Sequence, residues 1–150
     1  MLFRSHLATH GIFNKRNPLF SGVELEADET EDGRLEVHEL VGLRLNADLV
    51  TLSACETALG SGYFVDVPVG DDFVGLTRAF LFAGSPSVLA TLWEVDDRST
   101  VRLMRGFYEG LRQADKATAL AAAQRAALKG GRPHAHPYFW APFVLVGRMD

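Results

Sequence analysis

Residues 49–60 read L-V-T-L-S-A-C-E-T-A-L-G, an apolar run that leads into the only cysteine of the chain. Such a run is typical of a strand buried on both faces, as in a parallel sheet. Cys55 follows the predicted strand, and reactive groups gather at the carboxyl ends of strands in open α/β sheets. A second run, residues 5–11, reads S-H-L-A-T-H-G and places His10 and Gly11 after another short strand. A cysteine and a histidine at the ends of two strands are the two side chains that nucleophilic catalysis by a thiol requires.

The composition narrows the class of protein. The chain has 150 residues, 47% of them hydrophobic, which predicts one domain with a substantial core. Its net charge is −4 and its basic residues are not clustered, which argues against a nucleic-acid or anionic-membrane surface. A single cysteine excludes an internal disulfide framework and suits a reducing compartment. Because the first residues contain no apolar run long enough for a signal peptide or a membrane span, we expect a cytoplasmic protein.

The pattern along the chain predicts strands that alternate with helices. We expect buried strands over residues 2–8, 48–53, 87–93 and 141–146, and a half-exposed strand over 21–27. Helices are expected over residues 71–83, from an Asp97 or Ser99 cap to about Leu111, and over 116–129. The second of these helices is expected to carry Val101, Met104, Tyr108 and Leu111 on one face. Residues 34–40 fit either a strand or the start of a helix, and loops are expected over 8–11, 61–70 and 133–137. This order predicts an α/β layered domain with a mainly parallel sheet.

Cys55 has a structural and a reactive interpretation. Free cysteines are among the most buried residue types, so residue type alone favours a structural role. Position favours reactivity, because Cys55 stands at a predicted strand end beside polar residues and a glycine-containing loop. An ordinary thiol is only a few per cent ionised at neutral pH and needs a base. His10 is the candidate for that base, although a lone histidine is commonly a satisfied or surface residue.

Five stretches of the chain carry a family resemblance. They read H-L-A-T-H-G at 6–11, A-D-L-V-T-L-S-A-C-E-T at 47–57, F-V-G-L-T-R-A-F at 73–80, A-T-L-W-E-V-D-D at 90–97 and H-P-Y-F-W-A-P-F-V-L-V-G at 136–147. Together they resemble the CHAT domain family, caspase-like domains related to separases and often found with tetratricopeptide repeats. The resemblance implies a three-layer α/β fold with a mainly parallel sheet flanked by helices. It also implies that residues 1–150 form one CHAT domain that lacks its N-terminal strands.

The resemblance further implies a cysteine endopeptidase with a Cys–His dyad. Cys55 would attack the scissile carbonyl and form an acyl-enzyme. His10 would orient the amide and protonate the leaving amine. The backbone N–H groups of Gly11 and Cys55 would form the oxyanion hole, for which a residue without a Cβ atom at position 11 leaves room.

The acidic stretch E-V-D-D at 94–97 offers candidates for substrate specificity. It resembles the corresponding stretch of separases, and peptidases of this relation often hold a basic P1 residue with a carboxylate. We therefore predict that Asp96 lines the S1 pocket, with Glu94 as a further candidate. For Asp97 we favour the role of a helix N-cap.

The remaining histidines do not predict a metal site. We interpret His6 as a residue inside the first strand, with only His10 reaching its end. His134 and His136 form an H-x-H pair without the further ligands that zinc needs. No G-x-G-x-x-G or Walker-type loop follows a strand, so we expect no metal and no cofactor.

Two other functions stay open beside a peptidase that acts on a protein or peptide substrate. One is a non-catalytic CHAT-like interaction module, and the other is a hydrolase or acyl-transfer enzyme that uses the same dyad on a small thioester or amide. A tetratricopeptide-repeat segment or a regulatory chain is the further partner that the resemblance implies. Thiol reactivity separates catalysis from interaction, because an activated Cys55 alkylates far faster than a structural cysteine.

Overall fold

The computed structural model describes residues 3–14, 16–53, 55–56, 71–93 and 95–150, with 55–56 and 71–73 described through their backbone. The strands are β1 (Arg4–Leu7), β2 (His10–Ile12), β3 (Gly22–Glu24), β4 (Arg34–Glu36), β5 (Leu49–Leu52), β6 (Cys55–Glu56), β7 (Ser87–Thr91) and β8 (Phe143–Gly147). The α-helices are α1 (Val37–Leu40), α2 (Asp71–Phe82), α3 (Asp97–Gly110) and α4 (Lys116–Lys129). Short 3₁₀ helices lie at Pro18–Phe20 and Pro137–Phe139.

The main sheet has the strand order β1-β5-β7-β8. Strand β5 runs parallel to both of its neighbours, β1 and β7, while β8 is antiparallel to β7. The connection between β5 and β7 contains α2, and the connection between β7 and β8 contains α3 and α4. The predicted α/β class is therefore confirmed, and a mainly parallel sheet flanked by helices is consistent with a caspase-like fold.

Alternating side chains of the main sheet divide the core into two layers, because successive residues of a strand point to opposite faces. Val50 and Val88 pack on one face against α1 and α2, in a cluster that includes Leu40, Leu76 and Phe80. Leu49 and Leu89 pack on the opposite face against α3 and α4, in a cluster that includes Leu103, Met104, Phe107 and Leu120. Full burial of each such side chain contributes about 1.5–3 kcal/mol. The sheet is therefore the middle of three layers.

The buried face of α3 differs from the predicted one. Met104 is buried as expected, but Val101 is 65% exposed, so its place on the buried face was wrong. The layer contact is centred on Leu103 and Phe107, which are fully or almost fully buried. At 100° per residue, Val101 lies about 120° around the helix from Phe107 and points away from the sheet. Tyr108 is partly buried beside this cluster.

A second, smaller sheet has the strand order β4-β3-β2-β6. Strand β3 is antiparallel to β2 and β4, whereas β2 and β6 are parallel. The expected loop at 8–11 was wrong in its second half, because His10 and Gly11 lie in β2. The Thr9 hydroxyl donates a hydrogen bond to the Glu24 carbonyl and thereby connects the bend between β1 and β2 with β3.

Other expectations for this region have mixed outcomes. The predicted strand at 21–27 is confirmed over its shorter core, Gly22–Glu24. Residues 34–40, for which strand and helix both stayed open, contain both β4 and α1. The loop predicted at 61–70 lies outside the described residues.

Candidate active site

Two neighbouring strands of the main sheet lead into the two strands that carry the predicted dyad. Strand β1 ends at Leu7 and β2 begins at His10, while β5 ends at Leu52 and β6 begins at Cys55. Leu7 and Leu52 are register partners in the parallel pair of β1 and β5. The N–H group of Ser53 donates to the Leu7 carbonyl at 3.0 Å and continues this pairing beyond β5. Both chain segments therefore pass together from the main sheet to the smaller sheet.

His10 and Cys55 are register partners in the parallel pair of β2 and β6. Neighbouring strands lie about 4.8 Å apart, so the backbones of these two residues are adjacent although they are distant in sequence. The His10 side chain is exposed to solvent. The small sheet thus brings together the two positions that the sequence motifs singled out.

Gly11, the predicted partner in the oxyanion hole, lies in the middle of the small sheet. It pairs with Glu56 of β6 on one side and with Val23 of β3 on the other. Gly11 and Cys55 therefore belong to adjacent strands, one residue out of step with each other. Its role as an oxyanion donor stays a prediction.

Asp96, a predicted S1 residue, is the N-cap of α3. Its Oδ2 atom accepts the Ser99 N–H at 3.0 Å and the Ser99 hydroxyl at 3.2 Å. The backbone hydrogen bond from Ser99 is the main cause that lowers the Asp96 pKa, with a further contribution from the charge of Arg98. The expectation that Asp97 or Ser99 would cap this helix was wrong, because Asp97 is its first helical residue. Glu94, the other S1 candidate, lies outside the described residues.

A polar cluster that the sequence analysis missed joins β1, β5 and α3. The Oη atom of Tyr108 donates to Thr51 Oγ1 at 2.9 Å and lies 3.2 Å from Nδ1 of His6. Burial lowers the pKa of His6 and raises the pKa of Tyr108, so both neutral forms are favoured. His6 was correctly predicted to lie inside a strand, but sequence periodicity gave no signal for its helical partner.

The H-x-H pair serves local structure. His134 Nδ1 and Ser99 Oγ lie 2.8 Å apart, and His136 Nδ1 accepts the Tyr138 N–H at 3.2 Å. Among the described side chains, no three histidine, cysteine, aspartate or glutamate residues cluster closely enough to hold a metal ion. No helix in the described ranges is both long enough and apolar enough to cross a membrane.

The fold agrees with the family to which the sequence is similar. Residues 6–148 match the CHAT domain family, so the chain belongs to that family. It is also similar to Tetratricopeptide repeat protein 28 of Mus musculus, with 34% identity over 113 residues, and to the Homo sapiens protein of the same name, with 29% identity over 113 residues. Each alignment covers 75% of this chain and 4% of the relative. The chain therefore corresponds to a small part of these relatives.

Proposed function

We propose that this chain is a cysteine endopeptidase domain of the caspase/separase-like type, with His10 and Cys55 as its dyad. The register pairing of these two residues on β2 and β6 carries the proposal. A strand separation of about 4.8 Å is one that the side chains of a histidine and a cysteine can bridge. Membership of a caspase-like family supports the same chemistry.

In this mechanism Cys55 is the nucleophile, and His10 takes the thiol proton before it serves as the general acid. The Cys55 thiolate attacks the scissile carbonyl, and a carbon–sulfur bond forms. The carbon–nitrogen bond then breaks as the protonated His10 imidazole gives its proton to the leaving amine. The N–H groups of Gly11 and Cys55 stabilise the tetrahedral oxyanion. Water hydrolyses the resulting thioester and regenerates the thiol.

The substrate in this proposal is a protein cut after a basic P1 residue, with Asp96 and Glu94 as S1 carboxylates. Both hydrogen bonds from Ser99 go to Oδ2 of Asp96, and no donor in the described part of the chain bonds Oδ1. An exposed, ionised carboxylate with one uncommitted oxygen suits a guanidinium or ammonium group.

A tetratricopeptide-repeat segment is the partner that we propose for this domain, either in the same protein or in another chain. The name of the mouse and human relatives supports it, since both are called tetratricopeptide repeat proteins. The single cysteine of the chain suits a reducing compartment, and we place the domain in the cytoplasm.

Covalent trapping of Cys55 tests the proposal. The folded chain is treated with a peptidyl-arginine electrophile, and the labelled residue is located by mass spectrometry in wild type, His10→Ala, Cys55→Ala and His38→Ala. His38 is an exposed histidine elsewhere on the surface and serves as the matched control. We expect label on Cys55 in wild type and His38→Ala, and at least about tenfold slower labelling in His10→Ala.

Equal labelling of wild type and His10→Ala, at the rate of an ordinary thiol, would overturn the dyad. The domain would then be an interaction module. Rapid labelling without any preference for peptidyl electrophiles over small thioesters would instead favour the acyl-transfer alternative.

A further inference from the structure

One phenol contacts both of the strands that lead into the proposed dyad. The Oη atom of Tyr108, a residue of α3, lies 3.2 Å from Nδ1 of His6 in β1. The same hydroxyl donates a hydrogen bond to Oγ1 of Thr51 in β5 at 2.9 Å. The His6 and Tyr108 rings also pack, with their centroids 5.7 Å apart. Helix α3 thereby holds these two strands at a single point.

The contacted pair and the dyad occupy equivalent places along the two chain segments. His6 and Thr51 are register partners in the main sheet, as His10 and Cys55 are in the small sheet. Each contacted residue precedes its dyad residue by four positions in the sequence. Any slip of β1 along β5 would therefore move the dyad out of register and break at least one of the two Tyr108 contacts.

The surroundings of the phenol make these contacts costly to lose. Thr51 is 2% exposed, so its hydroxyl needs a protein partner, and Tyr108 supplies one. The Tyr108 ring packs beside Phe107, which is buried between α3 and the main sheet. The phenol is thus held by the core of the outer layer, while its hydroxyl reaches the edge strand β1.

We propose that Tyr108 is a positioning residue that keeps β1 and β5 in the register that presents His10 to Cys55. This inference rests on the proposed function for its consequence, while its structural part is independent of catalysis. Misplacement of a reacting group by about 1 Å can cost on the order of 100-fold in rate. For Tyr108→Phe, we expect the His10-dependent enhancement of Cys55 labelling to fall by about 10-fold to 100-fold.

The experiment compares Tyr108→Phe with the matched control Tyr138→Phe, at a denaturant-free condition in which both are folded. The Tyr138 side chain is exposed, and its hydroxyl makes no hydrogen bond to any described residue. Two quantities are measured: the labelling rate of Cys55 with and without His10→Ala, and amide hydrogen exchange strand by strand. Tyr108→Phe should lose the enhancement and exchange at least about fivefold faster in β2 and β6, with β7 and β8 unchanged.

A purely structural role for Tyr108 predicts a different result. It would lower the free energy of unfolding and speed exchange in all strands together, but the His10-dependent enhancement in the folded protein would stay at the wild-type value. That outcome, or unchanged exchange in β2 and β6, overturns the inference. If wild type itself shows no His10-dependent labelling, the proposed function fails, and exchange alone then decides whether Tyr108 holds the register.

A second pair of variants covers the case in which Tyr108→Phe does not fold. Thr51→Val removes the hydroxyl that accepts from Tyr108, and Thr51→Ser keeps it. We expect faster exchange in β2 and β6 for Thr51→Val and near wild-type exchange for Thr51→Ser. Equal exchange in the two variants would contradict the inference.

Discussion

Nζ of Lys116 lies 3.2 Å from Oδ2 of Asp48, and the lysine side chain is only 5% exposed. The same ammonium group donates to the backbone carbonyl of Asp150. Lys116 begins α4, and Asp48 directly precedes β5, so the pair fastens the outer helix layer to the strand that leads to Cys55. The Asp48 side chain keeps 17% exposure, so the ammonium group is the more deeply desolvated charge, and removing its partner should cost more than removing the lysine.

We predict that Asp48→Asn destabilises the fold more than Lys116→Met does. The asparagine variant leaves a buried ammonium without its counter-charge, which costs about 3 kcal/mol in the free energy of unfolding. The methionine variant leaves a partly exposed carboxylate that water can solvate, and it should cost less than about 1 kcal/mol. Denaturant unfolding of both variants and of the double variant measures the difference. Equal costs for the two single variants would contradict a desolvated ion pair.

The two faces of α3 give a second prediction. Phe107→Ala empties a fully buried site between the helix and the sheet and should cost about 3–5 kcal/mol. Val101→Ala, on the exposed face, should change the free energy of unfolding by less than about 0.5 kcal/mol. Chemical denaturation of the pair provides the measurement. A cost above about 1 kcal/mol for Val101→Ala would mean that this face is covered.

The helices and the central strand show how much of the fold could be predicted from the sequence. Long periodic segments were placed well, and the helix predicted at 116–129 coincides with α4. The apolar run before Cys55 became β5, a strand buried along its whole length. The orientation of α3 was harder, because Val101 and Phe107 are equally apolar and only the sheet decides which one it covers. Tertiary packing, rather than propensity, sets that choice.

Gly22 gives a prediction about the small sheet. A Cβ atom there would lie 2.3 Å from the Leu35 carbonyl oxygen and 2.8 Å from the Glu36 Cα atom, so the backbone of β4 would have to move. Gly22 also pairs with Ile12 of β2, the strand that carries His10. We expect Gly22→Ala to cost about 1–3 kcal/mol and to slow Cys55 labelling in the protein that remains folded.

Gly75→Ala is the control for this substitution, because a Cβ atom at position 75 of α2 meets no heavy atom of the described residues within 4 Å. It should be neutral or stabilise the helix by up to about 1 kcal/mol. Unfolding curves and labelling rates for the two alanine variants are compared directly. Unaltered labelling in Gly22→Ala would separate the packing of β3 on β4 from the geometry of the proposed dyad.

The positions of the candidate dyad could be named from the sequence, but the sheet that pairs them could not. The motifs at His10 and Cys55 selected two positions that the small sheet places in register. The sequence predicted β3 of that sheet but gave no sign that β2 and β6 pair in it, because a two-residue strand such as β6 is too short for a periodic pattern. The contact of Tyr108 with two strands was equally hidden, since it depends on how α3 lies across the main sheet.

His6 is partly desolvated although its side chain remains exposed overall, which predicts a small loss of stability at acidic pH. Its pKa is lowered in the folded protein, so between that value and the unfolded value of about 6.5 the unfolded chain binds more protons. The free energy of unfolding should therefore fall as the pH drops below about 6.5. The free energy of unfolding is measured between about pH 7.5 and about pH 5, on either side of the unfolded histidine pKa. It should vary less with pH in His6→Gln than in wild type. Parallel curves would show that His6 is equally solvated in both states.

The capping role of Asp96 and its proposed S1 role can be separated because asparagine caps helices about as well as aspartate. Asp96→Asn should keep the hydrogen bond from Ser99 while it removes the charge, and Asp96→Ala removes both. We expect Asp96→Asn to retain wild-type thermal stability, and Asp96→Ala to unfold at a lower temperature.

If the carboxylate contacts a basic P1 residue, Asp96→Asn lowers the preference for peptidyl-arginine over peptidyl-glutamine electrophiles by about tenfold, since charged pairing is lost. Asp97→Asn is the control, because Asp97 is the first residue of α3 and carries the neighbouring charge without the cap. An unchanged preference in Asp96→Asn, together with intact labelling of Cys55, would leave Asp96 as a helix cap alone and place the recognition of P1 elsewhere.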